Sequence, residues 1–391
     1  MKPTFKTLCA GIMALGLNHG VHRMAHMSEG ISEKVLRNTI NWFFTLSNIE
    51  AAYDTIVNKI GTLSLSNLYL HKENQLVTGS DGRKVPVAVD SLNANHSYKF
   101  PGKGSVVTFY GFLDSKQRQF YNTVFTSTNR EAGYVIDGLL HNDTVKSDIH
   151  STDTHGYMES IFSISHFVPA MFAPRLKNLK DQKIYSFEPK KYYVQKGYKI
   201  LPCKRFNLKQ IEDEWDPFLR FIVTIKLKHT PASQLLKRLS SYAKDNPLYK
   251  ALKEFGRIIK SIYILTYIQD KELRQMVQKT LNYVEHSNKF TKAISFANNQ
   301  EFQYGTKEEQ QVMAACTTLM QNAIMLWNYL TISKKILDVP DPKVRQKMIN
   351  RVKKGSLLCW RHLNFQGEYN FNEKALKKNI FDMEKIKKLK I

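Results

Sequence analysis

The stretch that most constrains this chain is Asp148–Tyr157, DIHSTDTHGY. A short β-prone run, Asp148-Ile149-His150-Ser151-Thr152, leads into Asp153, polar turn residues and Gly156. Beyond the glycine, Tyr157, Met158, Ile161, Phe162, Ile164 and Phe167 are apolar at near-helical spacing. Strand, aspartate, turn, helix is an order that holds a carboxylate at the carboxyl end of a strand, where ligands of α/β sheets sit. Taken alone, Asp153 is more simply a strand-end turn aspartate or a helix cap. Its partners decide.

The flanking segments supply a context. From about Thr4 to Ile60 the apolar residues recur at three- and four-residue steps, which predicts helices. His19, His22 and His26 could share one helix face, a metal site on paper, but no carboxylate or cysteine stands in register and a polar face is the simpler reading. Ser47 is the expected N-cap between two short helices. From Leu76 the period changes: Asp81-Gly82 reads as a tight turn between two β-prone runs, and Ser105–Ser115 as a third strand. Between them KFPGKGS, which contains Lys103, could lie across a phosphate backbone. NREAGYVIDGLLHN then reads as a helix, followed by the strand before Asp153, another helix and a strand near MFAPRLKNLKDQ.

That order is the order of an RNase H-like sheet. The fold class expected is therefore α+β (α/β): a mixed sheet with flanking helices, interrupted by a largely helical insertion, with helical extensions at both ends. The boundaries read as a helical lead-in over 1–75, the first part of the core over 76–185, an insertion over 186–251, and a helical closing part with a basic tail over 252–391.

Charge narrows the partners. Lys and Arg number 58 against 34 Asp and Glu, a net charge of +24. An excess that large repels itself unless a polyanion shares the surface, which points to nucleic acid. It is spread along the chain and no single amphipathic helix carries it, so a membrane-surface protein is the weaker reading. The four cysteines, Cys9, Cys203, Cys316 and Cys359, lie far apart with no C-x-x-C pair, which argues against a zinc ribbon and a disulfide framework and fits a reducing cytosol. No apolar run reaches the roughly 18 residues of a membrane span. The start, MKPTFKTLCAGIMALGL, imitates a signal peptide without a clear cleavage site.

Three acids could cage divalent cations: Asp81, Asp153 and Glu285. Two Mg²⁺ ions about 3.5–4 Å apart can activate a water or a 3′-hydroxyl and stabilise the leaving oxygen of a phosphodiester. Hard oxygen ligands suit that ion, and a few carboxylates suffice because water and phosphate complete the octahedron. Among 34 acidic residues the trio is weak by itself.

Longer segments add specificity: ALGLNHGVHRMAH, SDGRKVPVAVDSLNANHSYKFPGKGSVVTFYGFLDSKQRQFY, YVIDGLLHN, STDTHGY, FAPRLKNLKDQKIY, FGRI, VEHSNKFTKAISF, MLWNYLTI and WRHLNFQGEYNF. In these the chain resembles the catalytic part of replicative transposases of the Tn-three family of bacterial transposons. The resemblance implies that Asp81 in SDG, Asp153 in TDT and Glu285 before HSN are the DDE triad. It implies Mg²⁺ as cofactor, two ions with Mn²⁺ able to substitute. It implies double-stranded DNA as partner, at transposon ends and target, a homo-oligomer on that DNA and a cytoplasmic, nucleoid-associated protein.

Two departures follow from the same resemblance. Val284 stands where the family has a glycine before the third acid, and family members are longer, with amino-terminal DNA-binding domains. A truncated chain that only binds DNA or another subunit is the alternative, and a secreted nuclease a third. DNA contacts are expected from Lys103, His155, Arg175, Lys177, Lys180, Asn288 and Lys289, against a solvated basic face for any one of them. Asp90 and Asp137 could stand behind the triad, with a plain helix-face acid the simpler reading of Asp137. The aromatic and basic residues of Lys190–Lys199 could stack on a base or simply pack. Trp327 and Trp360 are expected in the core.

Overall fold

The apolar spacing at the start of the chain does close into helices, and the change of period near Leu76 marks the first strand. A computed structural model describes residues 2–96, 104–154, 156–241, 246–372, 374, 380–389 and 391. In chain order the elements are α1 (Phe5–Gly16), α2 (Gly20–His26), α3 (Glu33–Phe43), α4 (Leu46–Gly61), β1 (Val77–Pro86), β2 (Asn95–His96), β3 (Ser105–Asp114), β4 (Gln119–Thr126), α5 (Ala132–Leu140), β5 (Ile149–Thr152), α6 (Glu159–Ser165), β6 (Met171–Phe172), β7 (Tyr185–Ser186), α7 (Lys190–Gln195), β8 (Lys204–Arg205), α8 (Leu208–Asp213), α9 (Trp215–Lys226), α10 (Ala232–Ser241), α11 (Pro247–Gln269), α12 (Lys271–Ile294), α13 (Lys307–Leu337), α14 (Pro342–Lys354) and α15 (Met383–Lys387). The strand order is β2–β3–β1–β5–β6 with β4 also on β3, and β7–β8 form a separate pair.

The chain divides into two units. One comprises Met1–Asn74, Gly82–Asn129 and Tyr283–Ile391, the other Gln75–Asp81 and Arg130–Asn282. β1 and α12 each contribute residues to both.

In the first unit α13 is the central helix. Leu17, Tyr69, Leu113, Phe290, Met325 and Tyr329 share its core, each large apolar side chain contributing about 1.5–3 kcal/mol by leaving water. α13 also closes the edge of β4 with side-chain amides. Gln311 accepts from the Val124 N–H at 2.7 Å and donates to the Asn122 carbonyl at 3.0 Å. Asn322 does the same at Gln119, at 3.1 and 2.7 Å. Strand groups that would otherwise template another chain are thus satisfied inside the unit. The signal-like start is α1, whose Ala10, Ala14 and Leu15 are buried. The cap between α3 and α4 is Thr45, whose hydroxyl accepts from the Asn48 N–H; Ser47 lies inside α4 instead.

The Asp81-Gly82 turn does not exist. β1 runs unbroken from Val77 to Pro86, and Gly82 is not among the residues with positive φ that a two-residue hairpin needs. Asp81 therefore projects from within a strand.

In the second unit β1, β5 and β6 pair in parallel. Phe162 of α6 packs on Phe172 and Tyr263, at ring distances of 5.2 and 5.7 Å. α9 buries Phe218, Phe221, Ile222 and Ile225. Asp137 turns out to be a buried cap. Its carboxylate accepts from the Ala232 N–H at 2.6 Å and from Ser233 at 3.3 Å, closing the start of α10, while burial pushes its pKa up. Among the described residues no helix is long and apolar enough to cross a membrane.

Candidate active site

Parallel pairing of β1 with β5 does what the separate motifs could not. Val77 opposes Ile149, Thr78 opposes His150, Gly79 opposes Ser151 and Ser80 opposes Thr152. Each pair is 72 residues apart (149 − 77, 152 − 80), and so are Asp81 and Asp153. The two acids are the next residues of a register already set: Asp153 follows the last residue of β5, and Asp81 stands within β1 just past the stretch that pairs with it.

Two devices fix that register. His150 is fully buried, with Nδ1 2.8 Å from Thr78 Oγ1 and Nε2 2.9 Å from Ser80 Oγ. One ring nitrogen donates and the other accepts, so the imidazole spans two alternate residues of β1 and resists a slip. After Asp153 the chain folds back so tightly that a Cβ on Gly156 would stand 2.7 Å from Thr152 Cβ. The Gly156 N–H donates to Asp153 Oδ1 at 3.2 Å, so this aspartate also holds its turn, as the simpler reading had it.

The structure adds an acid that sequence reasoning missed. Glu131 stands at the head of α5, and one carboxylate oxygen each from Asp81, Glu131 and Asp153 lie within 4.8 Å of one another. An acid at a helix start is ordinary for dipole reasons, so nothing in its spacing sets it apart. Three half-buried carboxylates with no nitrogen or sulfur donor form an oxygen-only set that fits a hard dication such as Mg²⁺ or Mn²⁺.

Of the expected DNA contacts, Arg175 comes to the same strand end. Its backbone N–H donates to the Thr152 carbonyl at 2.9 Å and its side chain is half-buried. Lys177 and Lys180 are exposed nearby in sequence. Lys103 and His155 lie outside the described residues.

Glu285 belongs to the first unit, on the exposed side of α12, where it pairs with Lys289 at 2.9 Å; Asn288 lies on the same face. Val284 is buried in the core of that unit, so the helix uses an apolar side chain where the resemblance led one to look for a glycine. Asp90 is exposed. Trp360 stacks on Phe290 at 4.8 Å, but Trp327 is 43% exposed, its ring set edge-on to Phe381 at 5.3 Å, so it is no core residue.

Burial holds the His150 pKa down at about 3. An unfolded histidine titrates near 6.5. The stabilisation this ring gives is thus complete above pH 6.5 and is lost as pH falls toward 3, at up to about 1.4 kcal/mol per pH unit. Urea unfolding at pH 6.5, 5.5 and 4.5 should show a shallower loss of stability in His150→Gln than in the wild type. Parallel slopes would mean that the ring is charged in the folded state.

A mixed sheet with helices around it and carboxylates gathered where β1 and β5 run in parallel defines an RNase H-like α+β domain. The chain belongs to the Tn3 transposase DDE domain family, whose model matches residues 1–369. It is 31% identical over 372 residues to the transposase for transposon Tn1546 of Enterococcus faecium, covering 94% of this chain and 37% of that protein. It is 29% identical to the transposase for transposon Tn2501 and 25% identical to that for transposon gamma-delta, both of Escherichia coli, covering 93% of this chain and 36% of each relative. The chain thus spans little more than a third of the length of these relatives.

Proposed function

We propose that this chain carries out the cleavage and joining steps of replicative DNA transposition, with Asp81, Asp153 and Glu285 as its acidic triad. The observation that carries the reading is the β1–β5 register that sets Asp81 beside Asp153, with Glu131 facing both. When bound there, a pair of Mg²⁺ or Mn²⁺ ions supplies Lewis-acid activation of the attacking oxygen and stabilisation of the leaving oxygen. Asp81 and Asp153 would hold those cations with an oxygen added by Glu131 of α5, and Glu285 is the third acid of the triad that the family resemblance implies. Water attacks first, at the transposon 3′ ends. The freed 3′-hydroxyl then attacks target DNA by direct transesterification, without a covalent protein intermediate.

The remaining charge serves the polyanion. Arg175, Lys177, Lys180, Asn288 and Lys289 hold phosphates, Lys289 by exchanging its tie to Glu285. The protein acts as a homo-oligomer on transposon ends, in the cytoplasm. A strand-transfer assay on double-stranded end-sequence DNA with Mg²⁺ tests this, with Asp153→Ala as comparison. Products are expected from the wild type only, and none in EDTA. Equal products from both proteins, or bound but uncut DNA from the wild type, would leave a module that holds DNA without cutting it.

A further inference from the structure

The histidines that lacked a carboxylate in sequence acquire one in the fold of the first unit. His22 and His26 lie one turn apart on α2, with ring centroids 4.5 Å apart. Glu33, the first residue of α3, reaches over to them: its Oε2 is 2.8 Å from His22 Nδ1. One ligand atom from each of the three lies within 4.8 Å of the other two.

The neighbours hold this arrangement ready. Arg37, one turn along α3, donates to the other oxygen of Glu33 at 2.6 Å, which fixes the carboxylate and turns Oε2 toward the imidazoles. An ordering partner of this kind is what metal-ligating groups use. The connection between α2 and α3 is anchored too: the Tyr369 N–H donates to the Met27 carbonyl at 2.6 Å, and the Glu29 N–H donates to the Tyr369 carbonyl at 3.1 Å. Gly30, at φ +63°, takes the left-handed turn that brings the chain back into α3.

We propose that His22, His26 and Glu33 bind a borderline transition-metal dication of the Zn²⁺ type, as three ligands of a tetrahedral site with a water in the fourth position. The donor chemistry separates this site from the oxygen-only one. Two imidazoles and a carboxylate suit Zn²⁺, Co²⁺ or Ni²⁺, whereas Mg²⁺ takes oxygen and keeps its waters. Ligands at about 2.1 Å around a tetrahedral ion stand roughly 3.4 Å apart, so His22 and Glu33 need open by only about half an ångström. Both histidines are exposed and can make that move. The ion ties α2 to α3.

Co²⁺ titration of the whole chain, in excess Mg²⁺ to occupy the carboxylate site, reads this directly through the visible absorption of tetrahedral Co²⁺, with Zn²⁺ as competitor. We expect a stoichiometry of one, displacement by Zn²⁺, and affinity at least about 10-fold weaker in His26→Ala and in Glu33→Gln. The signal should persist in Asp81→Asn/Asp153→Asn, and in His26→Ala circular dichroism should report an intact fold. Absence of tetrahedral Co²⁺, or equal affinity in the wild type and both ligand variants, overturns the proposal. A signal lost only in the aspartate variant overturns it as well, by assigning the ion to the other site.

Discussion

Asp81→Asn should lower strand transfer by about 1,000-fold while leaving DNA bound. A dication at a phosphoryl centre stabilises developing charge by several kcal/mol, and about 4 kcal/mol corresponds to roughly three powers of ten in rate. The amide is nearly isosteric, and Asp81 lies one residue beyond Ser80, the last position of β1 paired with β5, so the strands stay in place. The sign for binding is opposite to that for chemistry. Taking a negative charge from a site meant for a phosphodiester removes repulsion, so in EDTA the variant should bind DNA as tightly as the wild type or more tightly. Gel shift in EDTA and product formation in Mg²⁺ measure the two separately. Loss of both together would mean that Asp81 supports the fold and not the reaction.

The same pair of measurements sorts the remaining acids. Glu131→Gln should weaken Mn²⁺ binding, followed by the electron paramagnetic resonance of free Mn²⁺, and slow the reaction by a smaller factor than Asp81→Asn. Unchanged Mn²⁺ affinity would return Glu131 to the role of an ordinary helix-start acid.

What the chain disclosed before its structure was local. Strand, aspartate, turn and helix around Asp153 could be read because each part is written within ten residues, and Gly156 is there because the turn passes so close to Thr152. The Asp81-Gly82 turn misled because dipeptide preference is a local signal, and strand pairing overrode it. Nothing along the sequence says that residues 72 apart should pair in parallel. That comes from His150 and the strands it joins. Glu131 and Glu33 are illegible for a related reason: each sits at a helix start, where acids are common, and its partners arrive from another element. Trp327 shows the limit of composition, since aromatic content does not say which face of a buried helix a ring will take.

Gly256→Ala should destabilise the second unit, against the expectation from helix propensity. Gly256 lies within α11, where alanine would ordinarily stabilise by about 1 kcal/mol. Here a Cβ would stand 1.8 Å from the carbonyl oxygen of Glu159 and 2.5 Å from its carbon. Both are backbone atoms of the first residue of α6, so no side-chain rotation relieves the clash. The two helices would have to separate by more than an ångström, and overpacking of that kind costs about 3 kcal/mol or more. The clash therefore outweighs the gain in propensity, and the net sign is destabilising. α6 begins six residues after Asp153, and Glu159 also faces Arg257 at 3.4 Å, so displacement would disturb the segment that carries the site aspartate. Thermal unfolding should show a transition lowered by several degrees. Limited proteolysis should find its first new cuts within 130–282. A variant as stable as the wild type would show that α6 and α11 stand farther apart in solution than this packing requires.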